Sequence, residues 1–291
     1  MKVLVTGGSG FIGTNLRNLL AQSNRAVQNY DFVEGKDIRN APQISDFSKD
    51  VDAIVHLAAL VRVAECELKP RETLETNLIG TQNVLEAARM NDINNLVFAS
   101  SAAIYGVQDK FPIPEDAKLN PCSIYAYSKI AAEELIDLYR KSYGLTATCL
   151  RIFNVFGQGQ DSKLPYAAAI PIFIERALKG QDLVIYGRGK QTRDFIYVKD
   201  VAEAIALALD KKPNQTLNLA SGKDISVLDI AETIKKLANS KSEIKFEQPR
   251  AGDIQNSCAD ITKLKLALGF SPKYGLEDGL KETIKWFEKK N

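Results

Sequence analysis

Short apolar segments alternate with longer amphipathic segments through the first half of the chain. The short segments have the length of buried strands, and the longer ones carry apolar residues at helical spacing. The predicted strands are Lys2–Thr6, Ala26–Tyr30, Ala53–Leu57, Asn95–Ala99 and Thr146–Ile152. The predicted helices between them include Phe11–Ala21, Arg71–Met90 and Ala126–Tyr143. Strands that alternate with helices are typical of a parallel sheet whose strands are joined by crossover helices. We therefore predict an α/β fold with a Rossmann-type, doubly wound parallel sheet.

Beyond residue 155 the alternation becomes less regular, and proline and glycine residues separate the apolar segments. Helical spacing recurs at about 170–179, 200–209, 226–238 and 277–288. We therefore predict a smaller α/β lobe that is interleaved with the sheet domain along the chain. The predicted bounds are 1–155 and 190–222 for the sheet domain, and 156–189 and 223–291 for the smaller lobe.

Composition excludes several classes of function. The 291 residues include 38 Lys or Arg and 36 Asp or Glu, a balance that favours neither nucleic acid nor an anionic membrane as a partner. Apolar segments fall far short of the ~20 residues of a membrane span, and the N-terminus lacks the apolar region of a signal peptide. The four cysteines lie far apart with no C-x-x-C pair, which favours a reducing cytosol and argues against a disulfide framework or a structural zinc site. With His56 as the one histidine, Ser-His-Asp hydrolysis and histidine-metal catalysis are disfavoured.

A glycine-rich turn follows the first predicted strand and begins the first predicted helix. Its glycines fit two registers, Gly8-x-Gly10-x-x-Gly13 and Gly7-x-x-Gly10-x-x-Gly13. Without β-carbons the backbone can approach a pyrophosphate, and the N–H groups of the helix N-terminus then face that anion. A glycine turn alone is a weak signal, but the strand before it and an acidic residue after it favour dinucleotide binding.

That acidic residue is Asp31, which stands 18 residues after Gly13 at the end of the second predicted strand. A carboxylate there accepts hydrogen bonds from the adenosine ribose and repels a 2′-phosphate, so NAD is favoured over NADP. Five residues separate Asp31 from Asp37, too few for another helix and strand. We therefore expect the αβ unit usual at this point to be missing or vestigial, which would open the adenine pocket on that side.

A Tyr-x-x-x-Lys pattern, formed by Tyr125 and Lys129, stands at the start of a predicted helix. The spacing of four places both side chains on one helical face. A nearby ammonium and a positive nicotinamide ring would both favour the phenolate, which can act as a general base for an alcohol proton. Tyr127 has Ala131 at the same spacing and lacks this cation. A serine pair upstream, Ser100-Ser101, offers a hydroxyl for the same substrate oxygen.

Several short motifs along nearly the whole chain carry a family resemblance. They are Thr6-Gly-Gly-Ser-Gly-Phe-Ile-Gly13, His56-Leu-Ala-Ala59, Ser100-Ser-Ala-Ala-Ile-Tyr-Gly106, Tyr125-x-x-x-Lys129, Arg151-Ile-Phe-Asn-Val-Phe-Gly157, Gln191-Thr-Arg-Asp-Phe-Ile-Tyr197 and Pro249-Arg-Ala-Gly-Asp253. Together they resemble the extended short-chain dehydrogenase/reductase family. The branch that they resemble most is that of the nucleotide-sugar 4-epimerases of the UDP-glucose 4-epimerase type.

The resemblance implies NAD as the cofactor of the sheet domain and Ser101, with Ser100 as the runner-up, as the catalytic hydroxyl beside Tyr125 and Lys129. It implies that Asn77 supports the backbone on the cofactor side and that His56 is a packing residue. The cofactor-binding candidates are Gly7, Gly10, Phe11, Ile12, Gly13, Asp31, Asp37, Ile38, Leu57, Ala58, Ala59, Asn77, Tyr125 and Lys129.

The same resemblance implies that the smaller lobe binds a UDP-sugar. Asn154, Arg193 and Arg250 would contact the diphosphate, Asp253 the nucleotide ribose and Tyr186 the base. Seven residues after Arg250, Ser257 occupies a position that gates the substituent at C2 of the sugar. Since serine is small, we expect N-acetylhexosamines to fit as well as hexoses.

The residues after Ser101 bear on the reaction, because family 4,6-dehydratases have an Asp-Glu pair where this chain has Ala102-Ala103. We therefore expect reversible oxidation at C4, hence 4-epimerisation. A nucleotide-sugar reductase or decarboxylating dehydrogenase on the same fold stays open, as does a non-catalytic NAD-sensing protein. The resemblance also implies a homodimer that packs helices near 72–90 and 126–142. Candidate contacts, which could equally face the chain's own sheet, are Leu74, Leu78, Leu85, Ile130 and Leu138.

Overall fold

The computed structural model of the chain describes residues 1–162, 168–249 and 254–290. In chain order, its strands are β1 (Lys2–Thr6), β2 (Ala26–Tyr30), β3 (Ala53–His56), β4 (Leu96–Ser101), β5 (Ala147–Ile152), β6 (Asn154–Phe156), β7 (Leu183–Tyr186), β8 (Thr192–Tyr197), β9 (Thr216–Leu219), β10 (Asp224–Ser226) and β11 (Ile244–Glu247). Its helices are α1 (Phe11–Gln22), α2 (Ala41–Phe47), α3 (Val63–Leu68), α4 (Pro70–Leu74), α5 (Gly80–Met90), α6 (Ile124–Tyr143), α7 (Ala169–Leu178), α8 (Val198–Lys211), α9 (Val227–Leu237), α10 (Thr262–Leu268) and α11 (Leu276–Lys290).

Six parallel strands form the central sheet, in the order β2-β1-β3-β4-β5-β9. Alternate side chains of a strand point to opposite faces of the sheet. Val3 and Val5 accordingly share a core with residues of α1 and α8, whereas Leu4 shares a second core with residues of α5 and α6. Helices therefore cover both faces, and the predicted doubly wound α/β fold is confirmed.

The segment between β2 and β3 is shorter than in a full Rossmann fold. Residues 31–52, all of which the structure describes, form a 3-10 turn at Phe32–Glu34 and the short helix α2, without a strand. Strand β2 consequently lies at the edge of the sheet. The αβ unit is thus vestigial, as the short spacing between Asp31 and Asp37 predicts.

A second group of elements follows β5. Strands β6, β8 and β10 form a three-stranded sheet, β7 pairs with β11, and α7, α9 and α11 pack on them around a third core. Phe156, Ile174, Ile230 and Leu280 are buried in that core. The bounds predicted for the smaller lobe stay a prediction.

Two local features differ from the sequence prediction. Strand β4 continues through Ser101, so the serine pair belongs to the strand rather than following it. The segment predicted as one helix over Arg71–Met90 contains a π-helical turn, Glu75–Ile79, between α4 and α5. Such turns often mark functional positions, and this one holds Asn77.

The five residues predicted for a dimer contact divide into two groups. Leu85 and Ile130 are buried in the cores of this chain, so they already pack against its own sheet. Leu138 is 54% exposed, and Leu74 and Leu78 are partly exposed.

None of the helices in the described part of the chain has the length and apolar character that a membrane span requires.

Candidate active site

The glycine turn joins β1 to α1 and packs tightly against the end of β3. Gly7 has φ +70°, and a β-carbon on it would lie 2.6 Å from the backbone nitrogen of Ala58. A β-carbon on Gly13 would lie 2.4 Å from the carbonyl oxygen of Gly7, whereas one on Gly10 would lie 3.2 Å from it. The geometry therefore requires glycine at Gly7 and Gly13, and a β-carbon on Gly8 would meet the Asn29 side chain.

The N-terminus of α1 has the features of an anion site. Gly10 is its N-cap, no side chain caps it, and its first turn contains no acidic residue. The N–H groups of a helix N-terminus attract a phosphate, and here no side-chain acceptor competes for them. Phe11 and Ile12, at the helix start, are partly exposed. This cradle fits the diphosphate of a dinucleotide.

Asp31 lies beside that turn with 8% of its surface exposed. Its Oδ2 accepts a hydrogen bond from the Ser9 backbone N–H at 2.8 Å, and its Oδ1 accepts one from Val33 at 3.1 Å. These bonds hold the carboxylate at the end of β2, where the sequence places the ribose contact. The carboxylate of Asp37 pairs instead with Arg39, at 2.6 Å.

Two further cofactor candidates pack against neighbouring elements. Ile38 is buried against α5, and a β-carbon on Gly80 would lie 2.6 Å from its Cδ1. Leu57, Ala58 and Ala59 follow β3 and are partly exposed, with the backbone of Leu57 and Ala58 against Gly7. The structure thus brings the residues after β3 to the glycine turn and places Ile38 beneath α5.

Asn77 connects the loop after β3 with α6. Its Oδ1 accepts a hydrogen bond from the Leu60 N–H at 2.8 Å, and its Nδ2 donates to the Leu60 carbonyl at 2.9 Å and to Ser128 Oγ at 3.0 Å. Both polar atoms of this buried amide therefore fix the backbone of the loop after β3, and the role of Asn77 on the cofactor side stays a prediction.

Tyr125, Lys129 and Ser101 meet where α6 begins against the end of β4. Ser123 caps α6 by accepting a hydrogen bond from the Ala126 N–H, which sets the first turn that carries Tyr125. Ser101, at the end of β4, lies close enough to the Tyr125 side chain to influence its ionisation. The Nζ of Lys129 donates to the Ala99 carbonyl at 2.8 Å and lies 5.9 Å from the centre of the Tyr125 ring.

Burial dominates the ionisation of this group. It raises the pKa of Tyr125, and the hydrogen bond from Ser101 opposes that rise. Burial also lowers the pKa of Lys129 to about 8, against the opposing charge of Glu133. In the protein alone the pKa of Tyr125 is therefore raised, and the expected effect of the ammonium and the nicotinamide ring together stays a prediction. A positive nicotinamide ring would be needed in addition.

The two serines of β4 have different partners. The hydroxyl of Ser100 is buried and donates to the carboxylate of Glu133, whereas Ser101 contacts Tyr125. Between the two, only Ser101 is placed to share a substrate oxygen with Tyr125.

His56 is fully enclosed at the end of β3. Its Nδ1 and Nε2 are 2.7 Å from Thr6 Oγ1 and 2.9 Å from Thr81 Oγ1. Burial and the charge of Lys129 lower the pKa of His56 to about 3. A neutral ring with both nitrogens engaged fits the packing role.

The residues predicted to bind the substrate come from separate segments. Asn154 on β6 and Arg193 on β8 lie on adjacent strands, and the Asn154 Nδ2 donates to the Asp194 carbonyl at 3.2 Å. Ser257 is partly exposed in the segment that follows Gln255, whose carbonyl accepts the Thr192 N–H at 2.8 Å. Arg250 and Asp253 lie outside the described residues.

A cavity of about 1070 Å³ lies beside these strands. Tyr186, which is 36% exposed at the end of β7, lines it together with Gln191, Phe246 and Gln255. An aromatic ring facing such a space is suited to stacking on a nucleotide base. The structure therefore places Tyr186 near the segment of Ser257, while Tyr125 and Ser101 are not part of the lining.

Sequence reasoning missed a buried ion pair close to Tyr125, Lys129 and Ser101. Glu133 on α6 pairs with Arg151 on β5 at 2.8 Å, and both side chains are 8% exposed. Two signals were available in the sequence: Glu133 stands four residues after Lys129, and Arg151 lies within a predicted buried strand.

Comparison with known proteins decides the family. Residues 3–220 match the family described as "NAD dependent epimerase/dehydratase family". The chain belongs to this family. The predicted resemblance is confirmed, and so is NAD as the cofactor, which the family's description names.

Relatives within the family differ in reaction. The chain is 31% identical over 315 residues to the UDP-glucose 4-epimerase of Mycolicibacterium smegmatis, with 100% of both chains covered. It is 36% identical over 316 residues to the UDP-N-acetyl-alpha-D-glucosaminuronate decarboxylase of Bacillus cytotoxicus, covering 98% of this chain and 97% of that one. Family membership therefore establishes an NAD-dependent enzyme. Its relatives act on nucleotide sugars, but they do not all catalyse the same reaction.

Among solved structures of the family, the chain is similar to the UDP-N-acetylglucosamine 4-epimerase from Methanobrevibacter ruminantium M1 in complex with UDP-N-acetylmuramic acid. The TM-score is 0.96 at 35% identity, and the match covers 100% of this chain and 99% of the other. The similarity thus extends through the smaller lobe, beyond the residues of the family match.

Proposed function

We propose that the protein is an NAD-dependent UDP-sugar 4-epimerase that interconverts UDP-glucose and UDP-galactose through a transient 4-keto sugar. The observation that carries this proposal is the placement of Tyr125 beside Ser101, with Lys129 one helical turn further along α6 and its Nζ 5.9 Å from the centre of the Tyr125 ring. The Mycolicibacterium smegmatis epimerase, similar along its whole length, supports the same reaction.

NAD would be held by the residues whose geometry fits it. The α1 N-terminus and the glycines Gly7 to Gly13 would receive the diphosphate, Asp31 the adenosine ribose, and the backbone of Ala58 and Ala59 the adjoining face. When bound, NAD⁺ supplies a hydride acceptor for C4 of the sugar and returns the hydride to the other face.

Tyr125 would act on the proton of the sugar 4-hydroxyl. As a phenolate it takes that proton, while Ser101 donates a hydrogen bond to the same oxygen and Lys129 provides the positive charge that holds the phenolate. After the keto sugar has turned over in the pocket, Tyr125 gives the proton back. Since the proton begins and ends on the substrate, the side chains return to their starting state.

The chain lacks the pair needed for dehydration. Ala102 and Ala103 begin the 3-10 turn after Ser101, where family dehydratases carry Asp and Glu. An alanine side chain can neither donate nor accept the proton that loss of water across C5–C6 requires. This favours epimerisation over dehydration.

The UDP-sugar would bind between the sheet edge and the smaller lobe. Asn154 and Arg193 would contact the diphosphate, with Arg250 added by its motif, and Tyr186 would stack on the base. Asp253 would bind the nucleotide ribose, again on the motif alone. A small side chain at Ser257 extends the proposed substrates to UDP-N-acetylglucosamine and UDP-N-acetylgalactosamine.

A second candidate is a decarboxylating dehydrogenase or reductase of nucleotide sugars on the same scaffold. The 36% identity to the Bacillus cytotoxicus decarboxylase favours it, and so does the vestigial unit after β2, which resembles that of sugar reductases. Such an enzyme would change the redox state of its substrate or release CO₂, whereas an epimerase does neither.

The proposal includes a cytoplasmic homodimer. Ile79 and Met90 on the α5 segment are 47% and 64% exposed, and Leu138 on α6 is 54% exposed. A separation of eleven residues places Ile79 and Met90 on one helical face, which a second copy of α5 and α6 would cover. Light scattering tests the dimer, and the double variant Ile79→Lys/Met90→Lys should dissociate it.

The function is tested by incubating the purified protein separately with UDP-galactose, UDP-GalNAc and a UDP-N-acetylhexosaminuronate, without added reductant. The proposal expects UDP-glucose from the first and UDP-GlcNAc from the second, with no net NADH. Release of CO₂ from the third, with or without accumulating NADH, and no product from the others would establish the second candidate instead.

A further inference from the structure

Glu133 lies one turn beyond Lys129 on helix α6. Tyr125, Lys129 and Glu133 stand at successive four-residue spacings, so they share one face of the helix. All three side chains meet the last three residues of β4. Tyr125 lies beside Ser101, Lys129 Nζ donates to the Ala99 carbonyl at 2.8 Å, and the Ser100 hydroxyl donates to the Glu133 carboxylate. Strand end and helix are therefore joined residue by residue.

Arg151 also binds the carboxylate of Glu133. The Nη2 of Arg151 donates to Glu133 Oε2 at 2.8 Å, and its Nε lies 3.1 Å from Oε1. Arg151 and Ser100 are register partners on β5 and β4, so both approach the carboxylate from the sheet. Hydrogen-bond donors of Ser100 and Arg151 therefore surround the buried carboxylate.

The ionisable groups around Lys129 show why the position of Glu133 matters for the charge of Lys129. Among the described residues, Glu133 on α6 and Cys66 on α3 act electrostatically on Lys129. The charge of Lys129 acts on His56 of β3, and the centre of the Tyr125 ring lies 5.9 Å from Lys129 Nζ. Burial keeps the Cys66 thiol and the His56 ring neutral at neutral pH, since it raises the pKa of the thiol and lowers that of the ring. Glu133 is thus the anion that offsets the burial of the Lys129 ammonium.

We propose that Glu133 is a positioning residue: its carboxylate ties the end of β4 to α6 and keeps Lys129 charged beside Tyr125. The use of that charge by Tyr125 rests on the proposed function, whereas the effect of Glu133 on Lys129 does not. Arg151 serves the same arrangement by balancing Glu133, because an unpaired buried carboxylate would be strongly destabilising.

The test measures the protonation of Lys129 directly. The protein is labelled with ¹³C-lysine, and the methylene next to the ammonium is followed by NMR as pH is raised. The signal of Lys129 is assigned by its absence in Lys129→Met. The same titration is made on Glu133→Gln and on Glu134→Gln, which removes an equal charge from the adjacent, exposed position of α6.

In Glu133→Gln we expect the Lys129 midpoint to fall by about one pH unit or more, because the stabilising anion is gone. In Glu134→Gln the midpoint should stay where it is in the natural protein. Glu133→Asp retains the charge and should keep the midpoint close to the natural one. An unchanged midpoint in Glu133→Gln, or an equal shift in both glutamine variants, would overturn the inference.

Should Glu133→Gln fail to fold, the natural protein still decides. A fully buried lysine without an anion titrates at roughly pH 5–6, whereas a midpoint near 8 is expected here. A midpoint below neutrality would contradict the inference.

Enzyme assays provide a separate readout. If the proposed epimerase activity is present, the alkaline fall of kcat should move to lower pH in Glu133→Gln and keep its position in Glu134→Gln. If the variant merely lost folded protein, the maximum kcat would decrease and the alkaline fall of kcat would stay at the same pH. A protein without epimerase activity but with the expected NMR shifts would refute the proposed function and leave the role of Glu133 intact.

Discussion

The cofactor side and the substrate side of the site are assembled in different ways. On the proposed cofactor side, Gly7 in the glycine turn and Gly13 in the first turn of α1 belong to one short segment, and Tyr125 and Lys129 lie on one helix. On the substrate side, the residues come from distant segments that meet only through strand pairing, such as β6 with β8. The proposed chemistry of the site therefore depends on short local motifs, whereas the proposed recognition of the sugar depends on long-range contacts. Variants on the two sides should fail differently.

The largest effect is expected from Tyr125→Phe. Loss of the general base should lower kcat by ~10²–10⁴-fold with little change in the affinity for UDP, which binds elsewhere. Tyr127→Phe is the matched control, because Tyr127 is 57% exposed on the same helix turn. Equal losses in both variants, measured with UDP-galactose, would break the assignment of the base.

Gly13→Ala should damage the cofactor side alone. Its new β-carbon would lie 2.4 Å from the Gly7 carbonyl oxygen, so the turn must shift, at a cost of ~1–3 kcal/mol. We expect weaker NAD binding by calorimetry and a lower midpoint of thermal unfolding. Gly275→Ala, whose β-carbon would lie 3.6 Å from Asp278, is the control and should change neither quantity. Unchanged NAD affinity in Gly13→Ala would show that the turn does not hold the cofactor.

Ser257→Tyr should change substrate selection on the other side. A bulky ring at this position should lower kcat/KM for UDP-GalNAc by ~10-fold or more relative to UDP-galactose, since a filled pocket costs 1–3 kcal/mol. Ser257→Ala, which keeps the pocket open, should leave the ratio unchanged. If the tyrosine variant loses both substrates equally, Ser257 is not the gate.

The smallest effect concerns His56. Its pKa is lowered to about 3 by burial and by Lys129, so the folded protein keeps the ring neutral from pH 5 to 8. Its NMR signal should therefore not move over this range. Because the unfolded ring titrates at about 6.5, stability should be fully retained above that pH and should decrease as pH falls below it. A signal that titrates near pH 6.5 would show an accessible ring and contradict the packing role.

The local motifs explain what could be predicted from the sequence. The glycine turn requires residues without β-carbons at Gly7 and Gly13, and the spacing of Tyr125 and Lys129 follows from the helix period. Asp31 follows from its place at the end of β2. The shortened unit after it follows from chain length alone, because five residues cannot form a helix and a strand.

The features that the sequence does not predict depend on contacts between distant segments of the folded chain. Ser100 and Arg151 become neighbours only when β4 and β5 pair in one register, and Glu133 reaches them from α6. The raised pKa of Tyr125 reflects burial by the folded chain, which no spacing of residues reports. The π turn that holds Asn77 likewise has no helix-period signal.

The most direct test of the central claim uses UDP-galactose that carries deuterium at C4. If Tyr125 moves the hydroxyl proton while the hydrogen at C4 leaves and returns within the site, the UDP-glucose formed should retain the deuterium at C4. Product analysis by mass spectrometry and NMR gives the result in one incubation. Deuterium lost to water, or found in free reduced cofactor, would contradict the account.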